Sequence, residues 1–124
     1  MEGQKKIAIV DDDASVRKAL RRLMKTAGYD AIAFKSAEVF LESEAKDHSN
    51  CLILDVHLPG MSGLELLAKL TQAGSPCPIV FISAFDDESA REQAINRGAI
   101  SFLPKPLDGE VLLEVIGNAV RTQP

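Results

Sequence analysis

Long apolar runs are missing from this sequence. The longest, such as Ile79 to Ile82 and Val111 to Leu113, fall far short of a bilayer span, and no charged-then-apolar secretory leader precedes them. A soluble, cytoplasmic protein without membrane contact is expected. Cysteine is scarce too. Cys51 and Cys77 have neither CxxC spacing nor histidine company, which argues against a zinc or redox site. Each opens an apolar, strand-like run, so buried reduced thiols are expected; a disulfide between them is disfavoured in a reducing compartment. A basic surplus is absent as well: 14 Lys and Arg against 18 Asp and Glu give a net charge of −4 and a pI near 5.1. Direct nucleic-acid binding by this segment is therefore not expected, and any DNA contact would fall to another domain. No linker or low-complexity stretch interrupts the 124 residues, which read as one domain over 1–124 with no length for a second.

What is present is a repeated strand-then-helix unit. Ile7 to Val10 is a short apolar run, followed by three aspartates and then by Val16, Leu20, Leu23 and Ala27 at helical spacing up to Gly28. Tyr29 to Phe34 predicts a second strand, and Ser36 caps a helix with Ala37, Phe40 and Leu41 on one face. Leu52 to Leu54 is a third strand, apolar on both faces. Pro59-Gly60 then turns the chain, and Ser62 with Glu65 forms a capping box ahead of Leu64, Leu67 and Leu70. Pro78 to Ile82 predicts strand four. The fourth helix, from about 86 to 97, offers Ala90, Ala94 and Ile95 as its apolar contacts and is weakly anchored. Ile100 to Leu103 is strand five, and the last helix, from about 108 to 120, carries Leu112, Val115, Ile116 and Ala119. Short connections of this kind imply an α/β fold: a five-stranded parallel sheet with helices on both faces. In such sheets the ligand crevice lies at the carboxyl ends of the strands.

Those ends carry Asp11, Asp12 and Asp13, then Asp55, then Ser83, then Lys105. Asp13 reads as the N-cap of the first helix. Asp11 and Asp12 could be a solvated acidic loop, but Asp55 beside them raises a cost. Two unit charges about 4 Å apart interact by roughly 4 kcal/mol at an effective dielectric near 20. A hard divalent cation with oxygen ligands resolves it, and magnesium suits a site with few carboxylates and several waters. Lys105 alone would be a surface lysine; here its ammonium can pair with Asp55 or with a phosphoryl oxygen. Ser83 alone would be a cap or turn hydroxyl; here it can bond the same phosphoryl group.

These residues stand in Ile9-Val10-Asp11-Asp12-Asp13, Ile53-Leu54-Asp55 with Leu58-Pro59-Gly60-Met61-Ser62-Gly63, Ile82-Ser83-Ala84, and Phe102-Leu103-Pro104-Lys105-Pro106. Over almost its whole length the sequence resembles the receiver domains of two-component response regulators, which implies their flavodoxin-like fold with strand order 2-1-3-4-5. The resemblance implies that Asp55 is the phosphoacceptor. It also implies that Asp12 ligates magnesium directly, Asp11 largely through water, and the His57 backbone carbonyl as a further ligand; manganese can substitute. Ser83, Ala84 and Lys105 would bind phosphoryl oxygens, and the Lys105-Pro106 bond would be cis. Phe102, ordinarily a core residue, becomes a switch aromatic moving with Ser83, reshaping the surface of the fourth helix, fifth strand and last helix. His57 and Phe85 flank the path of attacking water. His57 has three readings: a magnesium side-chain ligand, which the metal's preference for oxygen disfavours, a tuner of hydrolysis, or an exposed loop histidine. His48, in the polar loop 47–50, reads as surface.

Among receivers the sequence is most similar to the FixJ-type branch, whose full-length members carry a helix-turn-helix domain. The implied partners are a sensor histidine kinase, a phosphorylation-dependent homodimer, and a DNA-binding domain beyond a receiver half ending at 122–124. A stand-alone receiver that docks to partners is the alternative. A haloacid-dehalogenase-type magnesium phosphatase would need a second Asp two residues after Asp55, where this chain has His57. A receiver-like module that no longer takes phosphate would usually lack the acidic pair, the Asp or the Lys, and all are present.

Overall fold

A computed structural model describes residues 4–121; the 122–124 terminus lies outside the described residues. Five strands and six helices follow in chain order. They are β1 (Lys6–Val10), α1 (Ala14–Thr26), β2 (Asp30–Phe34), α2 (Ala37–Glu42), α3 (Ala45–His48), β3 (Cys51–Asp55), α4 (Gly63–Gln72), β4 (Ile79–Ser83), α5 (Glu88–Asn96), β5 (Ser101–Pro104) and α6 (Gly109–Arg121). All strand pairs are parallel and the order is β2-β1-β3-β4-β5, as expected.

Strand side chains alternate between faces, so the sheet divides the core in two. Ile7, Ile9, Cys51, Ile53, Val80 and Ile82 meet Leu20 and Met24 of α1 and Leu112 and Ile116 of α6. Ala8, Val10, Leu52, Leu54, Ile79 and Phe81 meet Phe40 of α2, Leu66, Leu67 and Leu70 of α4, and the small residues of α5. β3 and β4 are buried at every position, which accounts for their unbroken apolar character. The local signals act where the sequence placed them: Asp13, Ser36 and Ser62 cap α1, α2 and α4, the last with the reciprocal Glu65 bond of a capping box.

Several expectations need correction. Residues 47–50 are not all loop: Ala45–His48 form the single turn α3, held by the Ser43 hydroxyl accepting the Ala45 N–H and the Ser49 hydroxyl donating to the Ala45 carbonyl. Hydroxyls close this turn, so no apolar period marks it. His48 is exposed, as expected. On α5, Ala90 and Ala94 are buried, but Ile95 is 45% exposed because it lies about 100° further round the helix than Ala94, away from the sheet. Ile100 precedes β5 and is also exposed, and Ala27 is an exposed C-cap while Met24 fills the core. Cys51 is buried, Cys77 only partly, and both thiols are free. Burial pushes Cys51 up to about 12 and Cys77 up to about 11. Among the described residues no helix is long and apolar enough to cross a membrane.

Candidate functional site

The carboxyl ends of β1, β3, β4 and β5 bring Asp11, Asp12, Asp55, Ser83 and Lys105 to one edge of the sheet. Asp11 follows the last residue of β1 and is fully buried. Its backbone N–H still donates to the Phe34 carbonyl at 3.1 Å, extending the β1–β2 ladder by one step. One carboxylate oxygen accepts the Asp13 N–H at 2.9 Å, the other the Lys105 ammonium at 2.8 Å, and its carbonyl accepts an Arg17 guanidinium N–H at 2.9 Å. Asp12 is exposed. Asp13 serves the helix: its carboxylate accepts from the Ser15 hydroxyl and N–H, and these bonds hold its pKa below the ordinary range.

Asp55 ends β3 with 4% of its surface exposed. One oxygen accepts the His57 N–H at 3.1 Å and the other lies 3.2 Å from Lys105 Nζ. Burial raises its pKa, the charge of Asp11 adds to the rise, and the His57 N–H and Lys105 oppose it. Burial works against the Lys105 ammonium also, but its bond to Asp11 and the charges of Asp55 and Asp11 outweigh that and leave its pKa raised. The lysine backbone is itself fixed by an N–H donated to the Ser83 carbonyl at 2.8 Å, and the Lys105-Pro106 bond is cis.

Oxygens of Asp11, Asp12 and Asp55 lie within 4.8 Å of one another, a group able to hold a metal ion. An all-carboxylate set suits a hard cation rather than a thiophilic one. Gly63, the first residue of α4, is part of this construction: a Cβ there would overlap the Asp55 carbonyl and stand 3.0 Å from Phe81. The loop between Asp55 and Gly63 is clamped from α2, where Glu38 accepts the Met61 N–H at 2.9 Å.

Ser83 is buried, and its hydroxyl donates to the Phe85 carbonyl at 3.0 Å and accepts the Phe85 N–H at 3.1 Å. Ala84 is exposed, and Phe85 is 62% exposed. His57 is exposed too, its ring edge-on to Phe85 with centroids 4.8 Å apart. Phe102 lies inside, 6.3 Å from the Phe81 ring, with the Arg91 guanidinium 5.0 Å above its face. Arg17, Glu38, Asp87 and Arg91 stand in no motif of the sequence that marks them as part of the site. Each acts across an element boundary, and only the Gly63 position beside a helix cap left a readable trace.

A family model described as the response regulator receiver domain matches residues 7–117. The response regulator protein TmoT of Ectopseudomonas mendocina is 42% identical over 118 residues, which are 95% of this chain and 54% of that protein. The transcriptional regulatory protein FixJ of Bradyrhizobium diazoefficiens is 34% identical over 93% of this chain and 56% of its own length. The chain thus spans about half the length of the curated relatives it matches. Among solved structures, FixJ-N superposes with a TM-score of 0.88 at 32% identity, covering 99% of this chain and 98% of that one. Fold, family model and relatives agree: the chain belongs to the response regulator receiver domains of two-component signalling.

Proposed function

We propose that the 124 residues form one phosphorylation switch in which Asp55 takes a phosphoryl group from a sensor histidine kinase. The observation that carries this is Lys105 reaching both Asp11 and Asp55 in a buried crevice, with Asp12 close enough to complete an oxygen ligand set. Asp11, Asp12, Asp55 and the His57 carbonyl would hold magnesium, or manganese in its place. The ion supplies neutralisation of phosphoryl charge when bound.

An Asp55 oxygen forms the new O–P bond as the P–N bond of a phosphohistidine breaks and the imidazole leaves with the electron pair. The chain contributes position and charge, as phosphoryl transfer demands. The His57 N–H fixes one Asp55 oxygen, and Lys105 can turn from Asp11 toward a phosphoryl oxygen. Ser83 and the Ala84 backbone receive the remaining oxygens, while His57 and Phe85 tune hydrolysis back to carboxylate and inorganic phosphate. Phosphorylation adds about −1.5 to −2 charges. Ser83 leaving Phe85 and Phe102 shifting under Arg91 would change the surface of α5, β5 and α6, where moving a 1:99 equilibrium to 99:1 takes about 5.5 kcal/mol. Because the relatives extend about as far again, this surface would control dimerisation or a C-terminal DNA-binding output; docking by a stand-alone receiver is the other arrangement.

Incubation with acetyl phosphate and magnesium tests this. One hydroxylamine-labile phosphoryl group, absent in Asp55→Asn, is expected by intact mass. No mass gain with either acetyl phosphate or a phosphorylated kinase overturns the proposal.

A further inference from the structure

Asp87 uses both oxygens of its carboxylate. One accepts the Ala90 N–H at 3.0 Å and so caps α5; the other lies 3.7 Å from Nε2 of His57, in the loop that follows Asp55. Its backbone N–H donates at 3.0 Å to the Phe85 carbonyl, the same carbonyl that accepts the Ser83 hydroxyl at 3.0 Å. The Phe85 ring in turn stands edge-on to His57. Ser83, Phe85, His57 and the first turn of α5 therefore meet at one residue. Phe85 and Asp87 also line a cleft of about 200 Å³ together with Ser83, Phe102 and Lys105.

We propose that Asp87 is a positioning residue that holds His57 against Phe85 beside this cleft and ties that arrangement to α5. The proposal rests on the reading of Asp55 as phosphoacceptor. The physical case is that one short carboxylate cannot follow His57 and keep the α5 cap unless both move together. When the Ser83 hydroxyl leaves the Phe85 carbonyl for a phosphoryl oxygen, that carbonyl keeps only the Asp87 N–H of its two bonds, and the turn from Ser83 to Asp87 is released at one end. A shift of the turn then reaches His57 and α5 at once. By reciprocity of coupling, a partner that moves α5 resets the His57 ring and with it the access of water to the phosphoryl group.

Asp87→Asn and Asp87→Ser test this, because both keep an N-cap acceptor for α5 while removing the charge that faces His57. The variants are loaded with acetyl phosphate and magnesium, the donor is removed, and loss of the phosphoryl group is followed by mass. Loading equal to the parent is expected, with decay about two- to five-fold faster, the size of a weak, half-exposed contact. In a His57→Gln background, which loses the ring itself, neither variant should change the decay further, and Ala90 amide exchange should stay native in Asp87→Asn. Parent-like decay, or the same acceleration in His57→Gln, overturns the proposal. A parent chain that takes no phosphoryl group instead sinks the phosphoacceptor reading. The pairing is then decided in the metal-free protein by the ring resonances of His57, assigned against His48: a shift in Asp87→Asn supports it and none overturns it.

Discussion

Lys105 stands nearer to Asp11 than to Asp55, its ammonium 2.8 Å from one and 3.2 Å from the other. Asp11 is the fully buried carboxylate, and in the low dielectric of the crevice it draws the shared cation. Asp55 keeps the weaker half of the arrangement, which leaves its oxygens the freer to react.

Removing the Asp55 charge should stabilise the metal-free protein. Burial and Asp11 raise the Asp55 pKa above its ordinary 3.8, so the folded state holds this proton more tightly than the unfolded chain. The associated stability is fully present below 3.8 and is lost as pH rises through the raised value. Asp55→Asn escapes that loss. At neutral pH in EDTA its melting temperature should rise by roughly 2–5 °C, with the gain shrinking toward pH 4. A lower melting temperature at neutral pH would show the carboxylate to be favourably solvated.

Lys105→Ala should act in the opposite direction, since it strands two buried carboxylates. A loss of about 2–4 kcal/mol is expected in urea unfolding without metal. Magnesium should restore more stability to this variant than it adds to the parent. In the parent, the raised Lys105 pKa means its contribution persists below 10.5 and fades at higher pH.

Magnesium should stabilise the parent chain by mass action, by about 2.7 kcal/mol at a hundred-fold excess over Kd, and so raise its melting temperature. Asp12→Asn should lose most of that gain while unfolding like the parent without metal, because Asp12 is exposed. An undiminished gain in the variant would place the ion elsewhere.

Gly63→Ala should cost about 2–3 kcal/mol, because the added methyl meets the Asp55 carbonyl and the Phe81 ring rather than a flexible side chain. The same displacement should slow phosphorylation. Native stability with native phosphorylation would mean that α4 gives way at no cost.

The two thiols should alkylate slowly at pH 8, where pKa values near 12 for Cys51 and 11 for Cys77 leave little thiolate. Partly exposed Cys77 should react first, and both quickly in denaturant. Their raised values also mean stability held below the ordinary 9.0 and lost as pH climbs toward 11–12. Equal native rates for the two would contradict the burial difference.

The sequence already specifies the alternation of strands and helices, the caps at Asp13, Ser36 and Ser62, and which loops carry Asp11, Asp12, Asp55, Ser83 and Lys105. Those features are local: a cap is read within three residues, and a run of Ile, Val and Leu on both faces specifies a covered strand. It marked α5 as weakly anchored but assigned Ile95 to the core, because a nine-residue helix with two alanines has too little apolar period to fix its rotation. Which carboxylate takes the lysine, and that Arg91 lies over Phe102, emerge only in the folded chain. The link from Asp87 to His57 was beyond reach for the same reason. Each of these joins residues on different elements, and such contacts depend on where the sheet sets its strand ends in space, which no sequence period records.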